Sequence, residues 1–285
     1  MTERTDLYCV MGHPVAHSRS PWIHARFAEL TNQPLRYERL LAPVDGFTQA
    51  LQQFVAQGGQ GCNVTVPFKL DAAQAAHSCS ERVALAGAAN TLVISPDGHV
   101  HADNTDGLGL VADLTRNAGF SLTGKDLLLV GAGGAAAGVL GPLLAERPRS
   151  LTVCNRTLHK AQDLVAAHQQ VAQTHGVTVH AQTPQSLIHS FDLVINATAA
   201  SLQGAGIPVA ASVLRPGSLA YDMMYGPSAA AFLQWAKQHG AQGRDGLGML
   251  VEQAAASFML WRQVQPPAAQ VLQELRDLLA QEASA

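Results

Sequence analysis

Two short polar stretches stand at the ends of apolar, strand-like runs: Asn63-Val64-Thr65-Val66-Pro67-Phe68-Lys69 and Asn104-Thr105-Asp106-Gly107. A strand holds its own side chains in a packed sheet and delivers its end residues to a crevice. A lysine and an aspartate delivered that way can meet over a small polar substrate. A third stretch, Gly131-Ala132-Gly133-Gly134-Ala135, has the composition of a turn that receives a dinucleotide. A charged pair upstream of a dinucleotide fold points to hydride transfer.

A carbonyl that accepts hydride develops alkoxide character, so the site must supply a proton or a cation. Several ways of doing this are absent here. None of Tyr8, Tyr37, Tyr221 and Tyr225 has a lysine four residues on. There is no H-E-x-x-H, and Cys9, Cys62, Cys79 and Cys154 lie far apart without zinc-ribbon spacing. His77-Ser78-Cys79 is the nearest approach to a ligand cluster, and no metal site is expected. The cysteines are expected to be reduced and mostly buried. Lys69 and Asp106 are left as the best pair.

Gly131-x-Gly133-x-x-Ala136 follows an apolar strand and opens an alanine-rich helix, the context that gives a G-x-G-x-x-G pattern meaning. The first glycine permits the tight turn. The second lets the backbone approach a pyrophosphate resting on the helix N-terminus. An NAD site places Asp or Glu at the end of the next strand to accept from the ribose 2′-hydroxyl. Here that place, 155 − 131 = 24 residues on, holds Asn155, followed by Arg156-Thr157, with Lys160 one turn beyond. An arginine fork suits a 2′-phosphate, so NADP(H) is favoured as cofactor.

The elements that must position these groups alternate between strand and helix, the rhythm of an α/β protein. Strands are expected over 7–11, 35–41, 61–66, 127–130, 150–154, 177–181, 192–196 and 218–222, with a hairpin from 90–94 and 100–103 around Pro96-Asp97-Gly98. Helices are expected from Ser20-Pro21 through Leu30, with Ser20 as N-cap, and over 47–57, 72–76, 108–117, 158–173, 248–261 and 268–280. Asp106 is expected to cap the helix that follows it. In the last helix Val271, Leu272, Leu275, Leu278 and Leu279 form one apolar stripe that should pack on a domain. A chain of 285 residues with 47% hydrophobic residues has two domains as its prior. A net charge of −3 argues against nucleic acid or an anionic membrane surface as partner. The polar start, Met1 to Asp6, shows no secretory signal, and no apolar run is long enough to span a bilayer. A cytoplasmic location is expected.

These stretches, with others, resemble the shikimate dehydrogenase family over nearly the whole chain. The matching segments are Gly12 to Pro21, Asn63 to Lys69, Ala86 to Thr91, Asp103 to Gly107, Gly131 to Ala135, Asn155-Arg156-Thr157, Asn196-Ala197-Thr198, Tyr221-Asp222-Met223 and Asp245 to Leu250. The resemblance implies NADPH-dependent, reversible reduction of 3-dehydroshikimate to shikimate in chorismate and aromatic amino acid biosynthesis. It implies that Ser18 and Ser20 hold the substrate carboxylate and that Thr65, Asn90, Tyr225 and Gln253 contact substrate. Lys69 and Asp106 are then the catalytic pair. On the cofactor side it implies Gly131, Ala132, Gly133, Gly134, Ala135, Asn155, Arg156, Thr157, Lys160, Met223 and Gly246, together with Glu81. The chain departs from the family pattern at Ala137, where arginine is frequent, at Lys160, where a second arginine is usual, and at Ala199-Ala200-Ser201, where Ser-Ser-Gly usually follows Asn-Ala-Thr. Lysine lacks the fork geometry, which weakens the grip on phosphate by about 1 kcal/mol.

A substrate-binding domain over residues 1–106, completed by 247–285, and a Rossmann-type dinucleotide domain over 107–246 are therefore expected, with substrate in the cleft between them and closure bringing the nicotinamide to the ring carbon. A carboxylate beside Lys69 would favour the ammonium form. Lys69 is thus expected to polarise the carbonyl and stabilise the nascent alkoxide, while Asp106 orients it and binds a substrate hydroxyl. Two alternatives stay open at this point: a quinate/shikimate dehydrogenase preferring NAD, and a catalytically silent paralogue that binds metabolite and cofactor. The sequence also leaves open whether two copies form a homodimer.

Overall fold

A computed structural model of the chain describes residues 5–198 and 207–284. Ala199-Ala200-Ser201 and the first four residues lie outside the described residues. The chain divides into two units, Met1–Gly109 with Leu250–Ala285, and Leu110–Met249.

The first unit contains β1 (Asp6–Gly12), α1 (Ser20–Thr31), β2 (Leu35–Leu41), α2 (Phe47–Ala56), β3 (Gly59–Val64), α3 (Lys69–Ala75), β4 (Ser78–Cys79), α4 (Glu81–Ala86), β5 (Thr91–Ile94) and β6 (Val100–Asp103), followed by the start of α5 (Asp106–Ala112). Its sheet runs in the order β2-β1-β3-β5-β6-β4. The strands β1, β2 and β3 are parallel, and the β5–β6 hairpin inserts one antiparallel strand between β3 and β6. The hairpin is what returns the chain from Asn90 to Asp103, so that residues 90 and 104–106 emerge at the same end of neighbouring strands. The apolar runs of β1, β3 and β5 bury Cys9, Met11, Cys62, Val64 and Leu92 against Phe47, Leu51, Phe54 and Phe68.

The second unit holds β7 (Asp126–Val130), α6 (Gly134–Ala145), β8 (Ser150–Cys154), α7 (Leu158–His175), β9 (Thr178–Gln182), β10 (Leu193–Asn196), β11 (Leu219–Asp222), α8 (Ala230–Gln238) and β12 (Gln242–Arg244), then the first turn of α9 (Leu247–Arg262). All described pairings are parallel and the order is β12-β11-β10-β7-β8-β9. That order reverses between β7 and β10, the arrangement of a dinucleotide-binding sheet. Leu127 to Leu129 are fully buried because helices and loops cover both faces of a parallel sheet. The last helix, α10 (Ala268–Ser284), belongs to the first unit. Its stripe buries Val271 and Leu275 completely, and Arg26 of α1 grips Glu274 at 2.6 and 3.0 Å.

Three local expectations are corrected. Arg19, not Ser20, is the N-cap of α1, so Ser20 is the first helical residue and Pro21 the second. Asp106 does not precede its helix but begins it, and the Asp106 N–H is taken by Asn104 Oδ1 at 3.1 Å, a local turn made by the asparagine side chain. The helix expected over 72–76 starts three residues earlier, at Lys69, because the backbone turns helical directly after Pro67-Phe68. The sequence reading also assigned no element to β4, α4, α8 or β12. β4 has two residues, α4 six, and β12 reads Gln-Gly-Arg, which carries no apolar alternation.

Candidate active site

In the first unit, β3 runs out at Val64 and hands the chain to Thr65, whose N–H donates to Met11 O at 2.9 Å. Phe68 is fully buried and stacks on Phe47, which anchors the turn and sets Lys69 as the first residue of α3. A cation at a helix N-terminus faces the positive end of the peptide dipoles. Asp106, at the start of α5, faces the same kind of end with the favourable sign. The two meet: Lys69 Nζ lies 2.5 Å from Asp106 Oδ2. The lysine side chain is 20% exposed and the aspartate 8%, so the pair is partly dehydrated but still open to a ligand.

Asp106 is held from the other side as well. Asn90 Nδ2 donates to Asp106 Oδ1 at 2.9 Å and lies 3.2 Å from Gln253 Oε1. The Asn90 amide has one admissible orientation, because the Thr105 N–H, which can only donate, points at Asn90 Oδ1 (2.8 Å). The turn into α5 is fixed by Asp103, which is 2% exposed. It accepts two hydrogen bonds from Arg82 (3.0 and 2.7 Å) and one from the Ser80 hydroxyl (2.7 Å). Asn104 Nδ2 adds a bond to Ala88 O at 2.9 Å. Lys69, Asn90, Asp106 and Gln253 are thus one connected group.

Ser18 and Ser20 lie at the end of the loop after β1. The Ser20 N–H donates to Ser18 Oγ at 3.3 Å, and Arg39 clamps Ser18 O at 3.2 and 2.7 Å. Gly12, at the head of that loop, lets Thr65 pack against it, since a Cβ there would collide with the threonine methyl. Glu81 is exposed at the first position of α4, beside Arg82.

In the second unit the glycine turn joins β7 to α6. Gly131 has φ +113°, and a Cβ on it would crowd Ala197 O at 3.2 Å, so only glycine suits the position. Gly133 is the N-cap of α6 and makes no side-chain cap; a Cβ there would meet nothing within 4 Å. Among the described residues nothing fills the space beside Gly133, and the N-terminus of a helix, with its unpaired backbone N–H groups, suits a pyrophosphate. Asn155 follows β8 and bonds Thr157 O through Nδ2 (2.9 Å), while Arg156 and Lys160 are exposed cations at the start of α7. These are the groups that would hold a 2′-phosphate. Met223 and Gly246 sit close together, with the Gly246 N–H donating to Met224 O at 2.9 Å. Tyr225 is half-buried at the head of a short 3-10 turn in this unit. Among the described residues no group of three or more His, Cys, Asp or Glu is arranged to hold a metal ion, and no helix is long and apolar enough to cross a membrane.

Sequence reasoning assigned no role to Asn63, Thr91, Thr105, Ser257, Arg82 or Asp103, all of which support the group around Asn90 and Asp106. For Asn63, Thr91 and Asp103 the available signal was a polar residue inside an otherwise apolar strand; Ser257 and Arg82, on α9 and α4, carried no such signal. It also missed a second buried cluster, in which Asp113 accepts two bonds from Arg244 (2.8 and 2.6 Å) and one from the Tyr221 hydroxyl (2.9 Å). Burial beside the Asp113 carboxylate pushes the Tyr221 hydroxyl well above its ordinary pKa.

Comparison with known proteins gives a consistent picture. Residues 10–92 match the shikimate dehydrogenase substrate binding domain, 113–204 the shikimate / quinate 5-dehydrogenase family, and 246–276 the shikimate 5′-dehydrogenase C-terminal domain. The chain is 66% identical over 280 residues to the shikimate dehydrogenase (NADP(+)) of Acidovorax ebreus (strain TPSY), covering 98% of this chain and 99% of that one. Among solved structures it is similar to an Ael1 enzyme from Pseudomonas putida, with TM-score 0.87, 41% identity and coverage of 95% and 98%. It is also similar to the shikimate 5-dehydrogenase of Thermus thermophilus in complex with NADP(H) and shikimate, with TM-score 0.83, 29% identity and coverage of 96% and 99%. With its Rossmann-type unit, its substrate-domain match and relatives of this identity along its whole length, the chain belongs to the shikimate dehydrogenase family.

Proposed function

We propose that this protein catalyses the reversible, NADPH-dependent reduction of 3-dehydroshikimate to shikimate in chorismate biosynthesis, with Lys69 and Asp106 as the reacting pair. The observation that carries the reading is the 2.5 Å contact between Lys69 Nζ and Asp106 Oδ2 in a chain of this family. NADPH, held by the Gly131–Ala135 turn with Arg156 and Lys160 on its 2′-phosphate and with Asn155, Thr157, Met223, Gly246 and Glu81 contributing, supplies the hydride when bound. The chain's own groups do the rest. Lys69 faces the carbonyl oxygen as a cation, draws electron density from the carbon, and neutralises the alkoxide by giving up a proton that solvent restores. Asp106 holds the ammonium in place and accepts from a ring hydroxyl. Ser18 and Ser20 hold the carboxylate of the substrate, and Thr65, Asn90, Tyr225 and Gln253 contact the rest of it. We place the enzyme in the cytoplasm, where its thiols stay reduced.

Neither an NAD-preferring quinate/shikimate dehydrogenase nor a silent paralogue is favoured, given the NADP(+) enzyme at 66% identity. Initial rates read by reduced-nicotinamide absorbance, with shikimate or quinate against NADP+ or NAD+, test the reading. Shikimate with NADP+ should be the fastest combination. Quinate with NAD+ running as fast, or tight binding of both ligands without turnover, would overturn it.

A further inference from the structure

Ser257 has no solvent exposure, and its hydroxyl has four polar neighbours. They are Thr91 Oγ1 at 2.8 Å, Asn63 Nδ2 at 2.9 Å, Gln253 O at 3.0 Å and Thr105 Oγ1 at 3.2 Å. A serine hydroxyl has one hydrogen and two lone pairs, so the four contacts cannot all be hydrogen bonds at once. Elementary accounting orders them. Gln253 O can only accept, so a bond to it uses the Ser257 hydrogen, as does a bond to Thr91 Oγ1 when Thr91 itself donates to Asn90. Asn63 Nδ2 can only donate, and the amide is oriented by Asn90 O, a carbonyl 3.2 Å from Nδ2 that can only accept. One Ser257 lone pair is therefore filled by Asn63, and the other is free for Thr105.

With that assignment every hydrogen in the cluster finds an acceptor. Thr105 donates to Ser257 and accepts from Asn90 Nδ2 (3.0 Å). Thr91 donates to Asn90 Oδ1 (2.9 Å), and the second Asn63 hydrogen has Thr91 Oγ1 and Asn90 O as acceptors, each at 3.2 Å. The remaining Asn90 hydrogen goes to Asp106 (2.9 Å). Without the Ser257 hydroxyl, Thr105 has Asn90 Oδ1 (3.2 Å), Thr91 Oγ1 (3.3 Å) or Gln253 Oε1 (3.4 Å) to turn to. Each of these atoms belongs to the set around Asn90 and Gln253, so the change is carried into the group that holds Asp106. Ser257 also lies one helical turn beyond Gln253 on α9, so its hydroxyl pins the stretch of helix that carries that glutamine against β5.

We propose that Ser257 is a positioning residue for the carbonyl-reduction site: its buried hydroxyl, as common acceptor for Asn63 and Thr105, fixes the Asn90 amide and Gln253 and, through Asn90, the carboxylate of Asp106. Ser257 touches no reacting atom. The proposal rests on the reading of Lys69 and Asp106 given above. A residue with only a packing role would be served as well by alanine, which carries no polar atom into a site without solvent.

The test is steady-state kinetics of wild type, Ser257→Ala, Asn90→Ala and the double variant, with 3-dehydroshikimate and NADPH, well below each variant's Tm. Ser257→Ala removes one atom and takes away an acceptor that Asn63 and Thr105 share, leaving them contacts of 3.2 Å or more. We expect kcat/KM for 3-dehydroshikimate to fall about tenfold with the KM for NADPH unchanged, and Ser257→Ala to have little further effect in the Asn90→Ala background. A Tm drop with unchanged kcat/KM, or full additivity with Asn90→Ala, overturns the positioning role and leaves the reaction assignment standing. If Ser257→Ala does not fold, Thr105→Ser (hydroxyl kept) and Thr105→Val (hydroxyl removed) replace it, and equal activity of the two overturns the proposal. Absence of turnover by the wild type overturns both the proposal and the reading beneath it.

Discussion

Around Asn90 and Asp106 almost every polar atom is buried and already bonded to another residue of the chain, whereas around Gly133 the turn faces open space and its cations are solvated. Asn90, Thr105, Asp106 and Gln253 are between 0% and 8% exposed; Gly133, Arg156 and Lys160 are all exposed. The first region is fixed before any ligand arrives. Its side chains share hydrogen atoms and acceptors, so each change there propagates. The second presents backbone N–H groups and independent charges that gain their partners only when a phosphate arrives. Interlocked groups should lose function steeply and non-additively; independent solvated charges should lose it gently, additively and with a dependence on salt.

The largest effect that could break this contrast is Asp106→Asn. It removes the anion from Lys69 and substitutes an amide for an acceptor of the Asn90 hydrogen bond. We expect kcat/KM to fall at least about 100-fold, in line with the loss of one partner of a hydrogen-bonded charge pair. A fall of only a few-fold would place the pair in the same class as the solvated charges.

The interlocked region also carries a cost in stability that the open one does not. His24 is fully buried, stacks on Tyr37 with ring centroids 4.2 Å apart, and makes no hydrogen bond of ordinary geometry through either nitrogen. Burial drives its pKa from an ordinary 6.5 down to about 3, with Asn63 opposing the shift. The unfolded chain therefore binds more protons than the folded one between those two values, so stability is complete above about pH 6.5 and is lost as pH falls. On going from about pH 8 to about pH 5, wild type should lose about 2 kcal/mol relative to His24→Phe, measured as the difference in urea-unfolding free energies. Parallel curves for the two proteins would remove His24 from the account.

On the open side, Arg156→Gln should raise the KM for NADPH about tenfold, the loss of one charge-assisted bond, with little change for NADH. The ratio between variant and wild type should shrink as salt is added. The smallest effect expected is Lys160→Arg. Restoring the planar fork should lower the KM for NADPH by a few-fold, about 1 kcal/mol, and should add to the Arg156 effect rather than depend on it.

The sequence was most informative where local chemistry and global pattern agree. The apolar β7 followed by Gly131-x-Gly133 announced the dinucleotide unit, because a tight turn with positive φ at Gly131 needs that residue type. Lys69 and Asp106 were visible as polar groups at strand ends. Their supports were not. Ser257 reads as an ordinary helix residue until α9 is placed against β5, and Asp103 reads as a strand residue until Arg82 arrives from an α-helix of six residues. Hydrogen-bond accounting of that kind depends on long-range packing, which periodicity does not encode. The expected capping roles of Ser20 and Asp106 failed for a related reason. Ser20 stands inside its helix after Arg19, the Asp106 carboxylate is engaged by Lys69 and Asn90, and Asn104 supplied the turn before α5 instead.

The most direct test of the central claim is the steady-state kinetics of Lys69→Ala with 3-dehydroshikimate and NADPH. A cation that acts mainly on the developing alkoxide predicts a fall in kcat of at least about 100-fold with KM little changed. A near-normal kcat with a large rise in KM would make Lys69 a substrate-binding residue and contradict the account.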